Sequence, residues 1–349
     1  MTRLHSFPSS RAALTRPALT RPALTGAALA AMLAFAGGAW AQEPLRVAAV
    51  SGYFSQGFGI SIMQGLEKAK ADLGIDLTIV DTGNRALDYE EQFNNLATGD
   101  YDLIFVMGWE LVDALQKTSD ANPDQRFIFI DGVLESPNMT YIDFVEEEGS
   151  FLVGALTGLL TDAGVEGFAD SKQVGFLGGR DIPVIRNFLV GMQEGVAFTA
   201  PTVSVVDVFA GTFDDPAKGS ELSMALYDQG IDVIYQAAGP TGEGVLQAAA
   251  AAGRMAVGVD IDQCPSAPGA ILASMLKRAD IAVYAMIKGQ VDGSAPVAPG
   301  AVSVGVASGG VEIKVCDDML ARIPADIMTR MEEIRAGIAS GEIPVTLNK

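Results

Sequence analysis

The sequence predicts an α/β fold made of two doubly wound parallel-sheet lobes, and three observations predict it. From residue 45 onward, short apolar runs suited to strands buried on both faces alternate with helical stretches. This βα rhythm starts twice, near 45 and again near 173. Residues 42–349 are more than one hydrophobic core usually serves and suit two lobes of about 150 residues each.

The first 41 residues stand outside that pattern. They hold Arg3, Arg11, Arg16 and Arg21 and no acid, then an apolar run over 26–36, and end on Ala39-Trp40-Ala41. A basic segment, an apolar segment too short to span a membrane and an A-x-A site predict a signal peptide cleaved after Ala41, hence export. No cysteine stands at the cleavage point, so no lipid anchor is indicated. Cleavage removes four of the 23 basic residues and none of the 43 acidic ones, leaving 19 against 43 and a net charge of −24. Such a surface repels nucleic acid and anionic lipid.

The first lobe is expected to use the strand runs LRVAAV, LTIVDT, DLIFVMG and RFIFIDG, with helices over 60–73, 88–97 and 110–119. A fifth extended piece, MTYIDF, leads to a helix over 147–160 in which Gly154 and Gly158 allow close packing. The acidic run Glu146-Glu147-Glu148 reads as a solvated helix start that complements the helix dipole. The second lobe follows with QVGFLGG, a helix over 182–198, VSVVDVFAG and a helix over 217–229. Asp181 reads as an N-cap two residues before Pro183.

The stretch 232–278 organises the rest. It holds a buried strand over 233–238, a glycine-rich turn (Gly239, Gly242, Gly244), a helix over 245–252 and a strand over 255–259 that ends on Asp260. Lys277 comes after a Pro/Gly-containing crossing. Beyond it lie a helix over 280–291, strands over 302–306 and 311–315, and a helix over 325–339 with Met328, Met331, Ile334 and Ile338 on one face. The lobes are expected to comprise 42–145 with 265–300, and 146–264 with 301–349. Their crossings are expected near Phe144, 263–269 and 296–300.

Chemistry is limited by what is missing. The single histidine, His5, lies in the leader, so the mature chain has no histidine for a catalytic triad or a metal site. The turn at Gly239 lacks the GK[ST] ending of a phosphate loop and carries an acid, Glu243. No cofactor or metal is indicated. Cys264 and Cys316 could pair in an oxidising compartment or stand as two thiols, since spacing alone leaves the choice open.

Ligands of open parallel sheets bind outside the carboxyl ends of the strands. Phe58, Trp109 and Tyr235 fall there and suit a flat heterocycle, each ring pair adding about 0.5–1.5 kcal/mol of stacking. Asp131 and Asp260 stand at strand tips, where they can accept from hydroxyl or amide donors with Lys277 to neutralise charge. Gly239 precedes a helix start whose N–H groups can meet a ligand. Asp81 reads as a turn cap.

GFLGGRDIPVIRNF, AGTFDDPAKGSELSMALYDQGIDVIYQAAGPTGEGV and GVDIDQ…PGAILASMLKRADIAVY resemble the basic membrane protein (BMP) family of ABC-importer solute-binding proteins, which includes purine-nucleoside receptors. The resemblance covers nearly the whole mature chain and implies a type I periplasmic-binding-protein fold with three hinge crossings. It further implies a monomeric periplasmic receptor that binds a nucleoside or base and serves an inner-membrane permease and ATPase. Phe58 matches a base-stacking phenylalanine, Tyr235 lies near a second aromatic and Asp131 near an acid at the base. Asp260 and Lys277 match the ribose-binding pair. The first loop departs from the family, because Tyr53-Phe54-Ser55-Gln56-Gly57-Phe58-Gly59 has no acid. Two other readings are a sensor docking on a signalling receptor and a secreted hydrolase with paired carboxylates.

Overall fold

The computed structural model describes residues 43–347 except 84, 169 and 170. The expected signal peptide, with His5 and Trp40, lies outside the described residues.

The first sheet is built from β1 (Arg46–Ser51), β2 (Asp76–Asp81), β3 (Leu103–Met107), β4 (Phe127–Ile130) and β5 (Met139–Phe144). Helices α1 (Gly57–Leu73), α2 (Tyr89–Ala97) and α3 (Val112–Ala121) connect its strands, and α4 (Glu146–Asp162) leaves it. The second sheet repeats the pattern with β6 (Gln173–Gly178), α5 (Pro183–Thr199), β7 (Ser204–Phe209), α6 (Pro216–Asp228), β8 (Val233–Ala237), α7 (Pro240–Ala252), β9 (Met255–Asp260) and β10 (Ile271–Lys277). The chain closes with α8 (Ala279–Asp292), β11 (Gly300–Val304), β12 (Val311–Val315) and α9 (Ala325–Ser340).

Strand orders are β2-β1-β3-β4-β5-β11 and β7-β6-β8-β9-β10-β12. All pairs are parallel except β10 with β12. Each lobe is thus a 2-1-3-4-5 doubly wound sheet whose order reverses next to its first strand, the place where such folds open a crevice. Central strands β3, β4 and β8 are buried along their whole length because helices cover both faces. Edge strands β2 and β7 are partly exposed throughout.

Helices α4 and α5 cross at glycines. A Cβ on Gly154 would stand 2.1 Å from the Met192 oxygen, and one on Gly195 would stand 2.0 Å from the Phe151 oxygen. The backbones therefore touch, and a methyl group at either position would force them apart.

Several expectations change at this level. The segment ILASMLK forms β10 of the second sheet, where the sequence suggested only a crossing; β9 and β12 supply its partners from both sides. Lys277 accordingly ends a strand of the second sheet, and 265–300 does not belong wholly to the first lobe. In turn β11 pairs with β5 and belongs to the first sheet, so 301–349 does not fall wholly in the second. The chain passes between sheets at 144–146, at 277–279 and at 304–311. Only the first of these crossings lies where expected.

The glycine-rich stretch after β8 is mostly helix: α7 begins at Pro240, and Gly242 and Gly244 lie in its first turns. A Cβ on Gly244 would reach within 1.8 Å of the Pro216 oxygen, so this glycine serves contact between α6 and α7. Asp181 does not cap α5; both its carboxylate oxygens accept from Arg186. Asp81 does cap its turn, accepting from Gly83 N at 2.8 Å.

Cys264 and Cys316 form a disulfide with Cα atoms 5.5 Å apart. It joins the segment after β9 to the end of β12 and so lies inside the second lobe, where it does not restrain the crossings.

Candidate functional site between the lobes

A cavity of about 290 Å³ opens at the carboxyl ends of both sheets. The first lobe contributes Tyr53, Gln56 and Phe58 from the loop after β1 and start of α1, Trp109 and Glu110 after β3, and Asp131 after β4. The second contributes Arg180 after β6, Phe188 on α5, Phe213 after β7, Gly239 after β8, Asp260 at the end of β9 and Lys277 at the end of β10.

Asp131 and Asp260 follow or end the equivalent fourth strands of their lobes, and both have left-handed backbones, φ 74° and 68°. Short polar residues tolerate that conformation, at a cost the surrounding fold must offset. Around Asp260 it makes a three-residue turn, with Ile261 N donating to the Val259 oxygen at 2.8 Å. The turn aims the carboxylate into the cavity instead of along the strand.

Lys277 is the centre of the polar end. Its side chain is 1 % exposed, and Nζ donates to Glu146 Oε1 at 2.8 Å and to Asp131 Oδ1. The rings of Phe58, Phe144 and Phe188 surround the ammonium at 4.6, 5.1 and 5.3 Å from their centroids. Burial opposes this charge, but Asp131, Glu146 and Asp260 outweigh it and hold the lysine above its ordinary range. Burial also pushes Asp260 up to about 6, against the pull of Lys277 and with the help of Asp131. At Glu146 burial raises the carboxyl well above its usual range despite Lys277.

The acidic run at the start of α4 is therefore not solvated. Glu146 and Glu147 are 2 % and 3 % exposed, and Glu148 Oε2 accepts from Val306 N at 2.6 Å. The first turn of α4 thus contacts all three crossings: it follows the first, Glu146 holds Lys277 at the second, and Glu148 holds Val306 in the third. A run of three acids carries no sequence signal for this, because burial depends on what the other crossings bring against it.

Tyr235 does not reach the cavity. It is fully buried, two residues below the strand end, with its hydroxyl 3.2 Å from Ser150 Oγ and its ring against Phe176 and Phe188. A strand rises about 3.3 Å per residue, so a two-residue offset moves a ring below the rim. Phe188 stands between Tyr235 and the cavity and supplies the aromatic wall there. The other expected residues, Phe58, Trp109, Asp131, Gly239, Asp260 and Lys277, all line the cavity. Trp109 is 37 % exposed and meets Phe129 edge-on at 5.9 Å.

Sequence reading missed Tyr53, Glu110, Glu146, Arg180, Phe188 and Phe213. Arg180 and Phe213 carry the signal that identified Trp109, a position just beyond a strand. Phe188 sits on a helix face with Val184 and Ile185, where core packing is the ordinary explanation. Beneath the second lobe's rim, buried Gln236 donates to Gln263 Oε1 at 2.9 Å, and Gln263 also accepts from Val259 N at 2.9 Å. That bridge fixes the tips of β8 and β9, and with them Gly239 and Asp260.

Among the described residues no cluster of three or more His, Cys, Asp or Glu is placed to hold a metal ion. No helix among them is long and apolar enough to cross a membrane.

Known proteins share the sequence pattern and the fold of this chain. The chain is 28 % identical over 307 residues to basic membrane protein D of Borreliella burgdorferi (strain JD1), covering 86 % of this chain and 87 % of the relative. It is 32 % identical over 189 residues to the ABC transporter nucleoside-binding protein BmpA of Lactococcus lactis subsp. cremoris (strain MG1363), covering 52 % of each. Among solved structures, an ABC transporter system solute-binding protein from Aeropyrum pernix K1 superposes with a TM-score of 0.76 at 26 % identity, over 86 % of this chain and 93 % of that one. Residues 47–349 match the Bmp family, described as ABC transporter substrate-binding protein PnrA-like. With two doubly wound lobes around one cleft and that match across the folded chain, the protein belongs to the Bmp family of ABC transporter substrate-binding proteins.

Proposed function

We propose that the protein is an exported, periplasmic receptor that captures a nucleoside-like solute in the interlobe cleft and delivers it to an ABC permease and its ATPase for import. The observation that carries this reading is the placement of Asp131 and Asp260, one from each lobe, around the buried Lys277. Two carboxylates and one fixed cation suit a pair of neighbouring sugar hydroxyls, since each hydroxyl donates to a carboxylate and can accept from the ammonium. The aromatic walls Phe58, Trp109, Phe188 and Phe213 suit the flat ring of a base. The nucleoside-binding Lactococcus relative supports the same ligand class. The nucleoside is bound and released unchanged, so no catalytic role is assigned to the carboxylates.

Native mass spectrometry of the protein as purified tests the reading by weighing any retained solute. Calorimetric titration of ligand-free protein with ribonucleosides and free bases follows. Ribonucleosides should bind, and 2′-deoxyribonucleosides should bind more weakly because one hydroxyl is missing. Absence of binding by every nucleoside to folded, ligand-free protein would discard the assignment.

A further inference from the structure

The cavity has a second polar pole, remote from Lys277 in its charge partners. Glu110 reaches the cavity from beyond β3 of the first lobe, and Arg180 from beyond β6 of the second. Among the described residues neither takes part in an ion pair within 4 Å, and the Arg180 guanidinium carbon lies 5.8 Å from the centroid of the Phe213 ring. The charges acting on Glu110 are Asp214 and Arg180. Those acting on Lys277 are Asp131, Glu146 and Asp260, a separate set. Tyr53 belongs to the Glu110 pole: burial, Glu110 and Asp214 push its hydroxyl up to about 12, against Arg180. Much of the remaining lining is apolar, with Phe58, Ile182, Val184, Phe188 and Val259. The loop over 53–59 carries no charge, and of the two acids at this pole, Glu110 and Asp214, Glu110 is the one that lines the cavity.

Resting on the nucleoside reading, we propose that Arg180 and Glu110 read the base and make the receptor selective for 6-oxopurine nucleosides, guanosine first. A guanidinium presents two parallel N–H donors and needs two adjacent acceptors. Guanine offers O6 and N7 side by side. Its N1–H and 2-amino groups are adjacent donors, the complement of a carboxylate. Hypoxanthine keeps O6, N7 and N1–H but lacks the amino group. Adenine places an amino donor where Arg180 requires an acceptor and has no N1–H for Glu110, so an apposed pair of donors is left unsatisfied. The Phe213 ring lies within cation–π reach of the guanidinium, which favours keeping its charge at this end of the cavity.

The test is calorimetric titration of refolded, ligand-free, oxidised protein with guanosine, inosine and adenosine, repeated with Arg180→Met and Glu110→Ala. Guanosine should bind at least about 10-fold tighter than adenosine, with inosine between, as expected for one bidentate base contact. Arg180→Met should weaken guanosine by about 10- to 100-fold and adenosine by less than about 3-fold, again from the loss of a bidentate pair. Glu110→Ala should cost guanosine more than inosine. Both side chains line the open cleft, and unchanged thermal melts would certify that the variants fold. Equal affinity for guanosine and adenosine, or an Arg180→Met loss common to both, would overturn the base-reading role and leave the nucleoside receptor standing. Failure of all three nucleosides to bind folded wild type would remove both readings together.

Discussion

Lys277 Nζ, at the end of β10, donates to Glu146 Oε1, at the start of α4, across 2.8 Å. The bond ties two of the three crossings between sheets, and both partners are almost wholly buried. Removing one partner of a buried pair leaves the other without compensation, at a cost of about 3–5 kcal/mol. Lys277→Met should therefore lower unfolding stability by about that amount, measured by urea titration. Adding Glu146→Gln to Lys277→Met should recover part of the loss. Strict additivity of the two substitutions would show that the pair is not coupled.

Asp260 gives a pH dependence with a definite sign. Its carboxyl is pushed up to about 6 in the folded chain from an ordinary 3.8, so the folded state binds the proton more tightly than the unfolded one. Its contribution favours folding at low pH and is lost as pH rises from about 4 to about 6, amounting to roughly 3 kcal/mol. Asp260→Asn should flatten that part of the stability curve for the ligand-free protein. A curve of the same slope in mutant and wild type would refute the shift.

Ligand affinity should run the other way with pH. Only ionised Asp260 accepts two hydroxyl donors, so nucleoside binding should weaken as pH falls below about 6. At pH 7.5, Asp260→Ala should cost about 2–5 kcal/mol of nucleoside affinity and much less for a free base. Calorimetry with a matched nucleoside and base decides this, and equal losses for the two would place Asp260 away from the sugar.

Trp109 is the single tryptophan of a chain beginning at residue 42. It lines the cavity and is 37 % exposed there, so its emission should shift when ligand covers the ring. An emission spectrum unchanged at saturating ligand would mean that the ring stays outside the bound complex.

The lobes should close on ligand. Asp131 and Asp260 come from different sheets, so a solute touching both binds the closed form better and shifts the population toward it. Small-angle scattering should give a smaller radius of gyration with ligand than without. The Cys264–Cys316 disulfide lies within one lobe, and Cys264→Ala with Cys316→Ala should cost about 2–4 kcal/mol of stability without preventing closure.

The twofold βα rhythm, the buried strands, the strand-end positions of Asp131, Asp260 and Trp109 and the place of Phe58 in the first βα connection were legible in the sequence because they follow from local periodicity. Strand tips of parallel sheets face the cleft whatever the rest of the chain does, so one-dimensional position was enough to find them. The strand ILASMLK was not legible, since its place depends on β9 and β12 arriving from distant parts of the chain. Tyr235 and Phe188 exchanged roles for the same kind of reason: two residues along a strand separate a buried ring from a cleft wall, and only helix α5 packed on the sheet shows which is which. The Glu146-Glu147-Glu148 run was misread because charge predicts exposure unless a partner is brought to it. The partners, Lys277 and Val306, are more than a hundred residues away in sequence. Local pattern determined the two lobes and most of the cleft; the meeting of three distant crossings at the first turn of α4 decided where the charges are buried and how the lobes are joined.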